Sequence, residues 1–157
     1  MNGSVQQFYG NRLRVRVCGI CIENDGLLLA NHTELTAHDF WVPPGGGIEQ
    51  SESANDCLVR EFKEETGLVI EVCDFLFVCE FIKEPLHAIE LFFNVKKKGG
   101  LLAKGIDPEA GDYQIIKEIR FLNWSEIENI DKSHLHGIFK FVEKPHEITQ
   151  LRGYFKL

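Results

Sequence analysis

No apolar run in this chain is long enough to cross a membrane. The longest, such as Leu27-Leu28-Leu29-Ala30, fall far short of the roughly 20 residues a spanning helix needs. The first residues, MNGSVQQFYGNRLRV, carry no apolar h-region, so no secretory leader is read and a cytoplasmic location is the expectation. Positive charge is also scarce: 17 Lys and Arg stand against 24 Asp and Glu, a formal net charge of −7. That balance argues against broad, sequence-independent binding to nucleic acid, which needs a basic surface. A small phosphorylated substrate stays open, because a bound metal ion reverses the local sign. The five cysteines are an odd count, and Cys18, Cys21, Cys57, Cys73 and Cys79 all sit in apolar contexts. They read as reduced core residues. Cys18-Gly-Ile-Cys21 has no second pair and no His-x-x-x-His after it, which argues against zinc. Repeats, low-complexity segments and linkers are missing too.

What is present is ordinary globular material: 44% hydrophobic and 26% charged residues, enough to build a core. One domain over residues 1–157 is expected. Residues 12–22 alternate and are β-branched, so they read as a strand. Asn24-Asp25-Gly26 is a hairpin turn into a second strand at Leu27–Ala30. Residues 31–40 read as a polar surface loop. Trp41 to Gly47 cannot be helix, with Pro43 and Pro44 followed by three glycines. A helix follows, with Ser51 as N-cap, Glu52 at N1, and Ala54, Leu58, Phe62 and Val59 on its apolar side. Gly67 ends it. Leu68–Lys83 and His87–Lys97 read as long strands, then 98–114 as a loop and Lys117–Asn123 as a strand. A short helix at Trp124–Asn129 opens on Asn123 or Ser125. A further helix is expected at His134–Glu143 and a final strand in 148–157. The class is α/β.

Within the first helix, Glu61, Glu64 and Glu65 stand at i, i+3 and i+4. That spacing gathers three carboxylates within an arc of about 100°. Like charges so placed destabilise an isolated helix. A merely solvated face would carry Lys or Arg at one of them, so a cation is expected there. All-oxygen donors suit a hard ion, Mg²⁺ or Mn²⁺.

The flanking residues make the pattern far more specific. Gly46, Glu52, Arg60, Glu61, Phe62, Glu64, Glu65, Gly67 and Leu68 follow the spacing G-x5-E-x7-R-E-U-x-E-E-x-G-U, with U a bulky apolar residue. This run resembles the signature of the Nudix hydrolases at every fixed position. Phe62 departs slightly, since Ile, Leu or Val is commoner there. The approach WVPPGGGIE and the later run Arg120 to Ile127 are also similar to that family. The resemblance implies an α/β/α sandwich with a mixed β-sheet. It also implies a metal-dependent pyrophosphohydrolase acting on a nucleoside diphosphate linked to another group. Glu61, Glu64 and Glu65 become the expected metal ligands, with the Gly46 carbonyl beside them. One of these acids, or one from a later loop, would be the base. Arg60 would orient a carboxylate. Glu52 is open between supporting the loop and contacting metal through water.

Other residues carry weaker expectations. Trp41 reads as core packing more than base stacking, and Asp112 and Glu118 are candidates for an additional ligand or substrate contact. Glu90, inside a strand, is another possible site residue and needs a partner if buried. His32, His38 and His87 read as turn or surface residues by default, with a substrate contact as the alternative. His134 and His136, at i and i+2, do not meet on a helix and also read as surface. Arg12, Arg14 and Arg16 alternate on one strand face, which a half-exposed sheet face explains as well as a phosphate or dimer contact does. Lys96-Lys97-Lys98 reads as a solvated strand end. The substrate itself is set by loops outside the signature. ADP-ribose or a related nucleotide sugar is the first expectation. Pro85, 17 residues after Leu68, approximates a proline carried by some ADP-ribose hydrolases of the family. The alternatives are a nucleoside triphosphate pyrophosphohydrolase and a non-catalytic nucleotide sensor. The resemblance also makes a homodimer plausible.

Overall fold

The computed structural model describes residues 11–32, 38–105 and 116–157. Strand β1 (Arg12–Glu23) turns at Asn24 and Asp25, with φ of 50° and 58°, into β2 (Gly26–His32). Two left-handed central residues make the turn whose twist matches the flanking strands. Short strands β3 (Trp41–Val42) and β4 (Gly45–Gly47) follow, then helix α1 (Ala54–Thr66). Long strands β5 (Leu68–Lys83) and β6 (Leu86–Gly100) form an antiparallel pair. Strand β7 (Ile116–Asn123) leads into helix α2 (Trp124–Glu128), and β8 (Gly153–Lys156) closes the chain.

The eight strands form one mixed sheet. β1 lies parallel to β6 from Arg12 opposite Leu86 to Cys21 opposite Val95, and β5 lies parallel to β8. β1 meets β2 only beside the hairpin, while its middle, Arg16 to Cys18, pairs with β4. β2 then runs antiparallel to β7 and β3. This divergence leaves β4 and its glycines against the centre of β1.

Helix α1 covers one face of the sheet. Cys57, Leu58 and Phe62 pack there with Val17, Leu28 and Val95. On the other face, Ile127 of α2 and the later residues Leu135, Ile138, Phe139 and Ile148 pack on Ile20, Leu29, Phe77 and Phe92. The result is the expected α/β/α sandwich. Four of the cysteines are buried free thiols, while Cys73 is partly exposed. No helix among the described residues is long and apolar enough to cross a membrane.

Four element expectations change. The N-cap of α1 is Ser53, not Ser51: its hydroxyl accepts the Asp56 N–H at 3.1 Å. Ser51 has φ of 69°, outside the extended region an N-cap occupies, and Glu52 therefore stands before the helix. Val59 is exposed, and Cys57 takes the buried position beside Leu58. Asn31 and His32 are not surface loop but the buried end of β2. Finally, no single helix covers 134–143. Short 3₁₀ segments run at Lys132–His134, Gly137–Phe141 and Pro145–Gln150, broken by extended Leu135 and Val142. Leu135 bridges Trp41 as a strand partner, and the His136 N–H donates to the Trp41 carbonyl at 2.9 Å. That outside hydrogen bond replaces one a continuous helix would need.

Candidate active site

Arg60 organises the acids of α1. Its Nε lies 2.8 Å from Glu52 Oε1 and its Nη2 2.9 Å from Glu52 Oε2, a two-pronged pair. Nη1 reaches Glu61 Oε1 at 2.9 Å and Glu64 Oε2 at 3.2 Å. One guanidinium therefore ties the residue before the helix to two carboxylates on it. The hydrogen bond from Arg60 holds the Glu52 carboxyl down to about 2. In turn Glu52, against the opposing effect of burial, holds the Arg60 guanidinium above its ordinary value.

Glu65 is buried, and its Oε2 accepts the Gly45 N–H at 3.1 Å. Gly46 presses its backbone against Glu61: a Cβ at Gly46 would fall inside the Glu61 carboxylate. Only glycine permits that approach. Burial pushes the Glu61 carboxyl up, with Arg60 opposing it and Glu64 adding to it. A second cation beside Glu61 would supply the compensation that burial removes.

The donor set fits a hard divalent ion. Glu61, Glu64 and Glu65 offer carboxylate oxygens, and the Gly46 backbone lies against the Glu61 carboxylate. Among the described residues no three His, Cys, Asp or Glu side chains converge at ligand spacing. Arg60 occupies the ground between Glu61 and Glu64, while the Gly45 N–H holds Glu65.

A cavity of about 440 Å³ opens beside these acids. Gly46, Glu61 and Glu65 form one wall. Arg14, Arg16, His32, Glu90 and His136 line it as well, with Arg16 reaching the Gly45 carbonyl at 3.4 Å. Lys83, Lys132 and Lys140 add cations, and Phe40, Val42, Phe81 and Leu135 add apolar surface. Five Arg and Lys side chains against three Glu give this cavity the opposite charge balance from the chain as a whole. The volume lies within the range of small-molecule sites, about 300–1,000 Å³.

Several site expectations are placed by this geometry. Trp41 is buried, with the Arg120 guanidinium 5.5 Å from its ring centre, and it does not line the cavity. Glu118 is exposed and pairs with Arg120 at 3.0 Å. Asp112 lies outside the described residues. Glu64 stays off the cavity wall, tied to Arg60. Lys97 and Lys98 pair with Glu23 and Glu71 at the strand end.

Two histidines overturn their surface reading. His32 is 8% exposed, and burial together with Arg16 holds its pKa down at about 3. His136 is 7% exposed, and its Nε2 lies 2.7 Å from Glu90 Oε2. The Ile138 N–H donates to His136 Nδ1 at 3.2 Å, so Nε2 carries the proton and donates to Glu90. Glu90 Oε1 meets Arg16 Nη1 at 3.3 Å. Burial raises the Glu90 carboxyl, but His136 and Arg16 together outweigh it and hold the value below normal. The requirement for a partner to Glu90 is thus met twice. The spacing argument against a His134–His136 pair holds in its geometry: His134 stacks on His38 at 4.1 Å while His136 turns inward. The sequence offered no sign of which one would do so.

The sequence model of the NUDIX domain matches residues 12–144. An ADP-ribose pyrophosphatase of Methanocaldococcus jannaschii is 32% identical over 101 residues, 63% of this chain and 60% of that protein. The mRNA-decapping enzyme subunit 2 of Saccharomyces cerevisiae is 26% identical over 140 residues, 88% of this chain but 13% of that protein. This chain therefore spans less than two thirds of either relative. Among solved structures, a NUDIX hydrolase from Nitrosomonas europaea superposes with a TM-score of 0.71 at 16% identity, covering 90% of this chain and 93% of that one. A UDP-X diphosphatase superposes with a TM-score of 0.67 at 19% identity, over 92% and 67% of the two chains. These likenesses are of fold.

Proposed function

The chain belongs to the Nudix family of hydrolases, and from that premise we propose that it is a divalent-metal-dependent pyrophosphohydrolase of nucleoside diphosphate derivatives, with ADP-ribose or a related nucleotide sugar as the substrate. The observation that carries this reading is the junction of two surfaces. Gly46, Glu61 and Glu65 share one cavity with five Arg and Lys side chains and with apolar surface, and the third carboxylate there, Glu90, is paired with His136 and Arg16. A diphosphate placed there meets both oxygen donors and cations, with apolar surface left for a base or sugar.

Glu61, Glu64, Glu65 and the Gly46 carbonyl would hold Mg²⁺ or Mn²⁺, with Arg60 and the Gly45 N–H setting carboxylate orientations. The bound ion supplies charge neutralisation on the phosphates and a more acidic water. Water adds to one phosphorus, the bridging P–O bond breaks, and two phosphomonoesters leave. For ADP-ribose these are AMP and ribose 5-phosphate. Arg60 and Glu52 do not face the reacting atoms in this arrangement. Their part is to hold the Glu61 and Glu64 carboxylates in place. The archaeal ADP-ribose pyrophosphatase and Pro85 support the choice of ADP-ribose, and both leave nucleoside triphosphates as the competitor.

A substrate panel tests this. Purified protein with Mg²⁺ is offered ADP-ribose, nucleotide sugars, dinucleoside polyphosphates and nucleoside triphosphates. Cleavage of ADP-ribose or a nucleotide sugar ahead of the triphosphates is expected. Faster triphosphate cleavage would replace the substrate assignment, and no product from any member would favour a sensing domain.

A further inference from the structure

Two arginines in this protein are paired in opposite ways. Arg60 meets Glu52 two-pronged at 2.8 and 2.9 Å. Arg16 makes only long contacts, 3.3 Å to Glu90 Oε1 and 3.4 Å to the Gly45 carbonyl. Its Nε is buried without a partner. A guanidinium has five N–H donors, so most of those on Arg16 are unspent. The cause lies in Glu90. Its second oxygen is taken by His136 at 2.7 Å, so Glu90 cannot close two-pronged onto Arg16. His136 is itself fixed, with the Ile138 N–H on Nδ1 and its own N–H on the Trp41 carbonyl.

Position gives the unspent donors a use. In the sheet Arg16 stands opposite Gly47 of β4 on one side and Glu90 of β6 on the other. Its side chain is 23% exposed and lines the cavity. It contacts the carbonyl of Gly45, the residue next to Gly46. The described residues hold two buried side-chain atoms with no partner, Arg16 Nε and His32 Nε2, and both residues line this cavity. A buried polar atom left without a partner is unfavourable, and Arg16 Nε is a donor in every protonation state open to it. A ligand oxygen on this wall would relieve that.

We propose that Arg16 grips the diphosphate of the substrate from the strand side of the cavity, and that the Glu90–His136 pair is the positioning device that holds its guanidinium there with donors to spare. The assignment rests on reading the cavity as a diphosphate site. Arg16 contacts a non-bridging phosphate oxygen, while Glu90 and His136 act through Arg16 and touch no substrate. The arrangement matches the planar, many-donor recognition for which Arg is suited and Lys is not.

Calorimetric binding of α,β-methylene-ADP, a probe that is not cleaved, tests this with Mg²⁺ present. Arg16→Ala should weaken binding about ten- to a hundredfold, the loss of charge-assisted hydrogen bonds. Arg16→Lys should recover only part. Glu90→Gln is the decisive positioning variant. Its amide oxygen still accepts from His136, but its amide nitrogen cannot accept from Arg16, so affinity should fall several-fold. A merely structural role predicts a lower melting temperature with Kd unchanged. Should Arg16→Ala fail to fold, Arg16→Lys and Glu90→Gln carry the same comparison. Kd within twofold of wild type in the folded variants overturns the proposal, as does a wild-type protein that does not bind the probe. Arg16-dependent binding without hydrolysis of any substrate would instead sink the proposed function and leave Arg16 standing. Hydrolysis that is indifferent to Arg16 would do the reverse.

Discussion

Arg60 shows how a single side chain organises the acidic face. Three glutamates on one helix face repel, and Arg60 offsets this by taking Glu61 and Glu64 on one nitrogen and Glu52 on the other two. Replacing Glu64 with Gln should lower turnover by orders of magnitude while leaving the fold intact, because it removes an oxygen donor and also a like charge. Steady-state kinetics beside a thermal melt check this, and near-wild-type turnover in Glu64→Gln and in Glu65→Gln alike would remove the metal assignment. The acids were legible in the sequence because all three lie within one turn and a half of helix. Arg16 and Glu90 were legible only as open candidates, and the inward turn of His136 was not legible at all. Glu90 is 74 positions from Arg16 and 46 from His136, and only the sheet register and the extended Leu135 bring them together.

At the level of elements, most strands and both helices follow from periodicity and turn chemistry. Asn24-Asp25-Gly26 folds as its sequence says, and Gly67 ends α1 at φ of 73°. The helix start was misplaced because two serines flank Glu52, and local preference does not choose between them. Tertiary need chooses: Glu52 must leave the helix for both of its oxygens to reach Arg60. Ser53→Ala should therefore destabilise the protein by about 1 kcal/mol, read as a lower denaturant midpoint, whereas Ser51→Ala should leave capping intact. Equal effects of the two would contradict the cap assignment. The segment after α2 was misread for a related reason. Its apolar residues suit a helix, but Leu135 and His136 are drawn out to bridge Trp41.

For the whole molecule, burial of ionisable groups links the site to stability. Folded His32 titrates at about 3 against about 6.5 unfolded, lowered by burial and then by Arg16. The unfolded chain thus binds a proton that the folded chain refuses, so stability falls as pH drops below about 6.5 and continues to fall toward 3. Denaturant unfolding of wild type against His32→Gln between pH 7 and 5 measures this. The difference between the two should change by roughly 1 kcal/mol per pH unit below the unfolded value. A difference independent of pH would contradict the buried neutral state. The same architecture brings Glu61 and Glu65 of α1 and the arginines Arg14 and Arg16 of β1 to one cavity, which is what the sandwich contributes to chemistry. The sequence showed the acidic half of that arrangement and left the cationic half to the sheet.

The most direct measurement is ³¹P NMR of ADP-ribose incubated with the protein and Mg²⁺ in ¹⁸O-enriched water. The account predicts that the diphosphate signals give way to those of AMP and ribose 5-phosphate, with ¹⁸O in one of the two phosphoryl groups, and that Glu64→Gln suppresses the change. An intact diphosphate, or cleavage that is the same in Glu64→Gln, would contradict it.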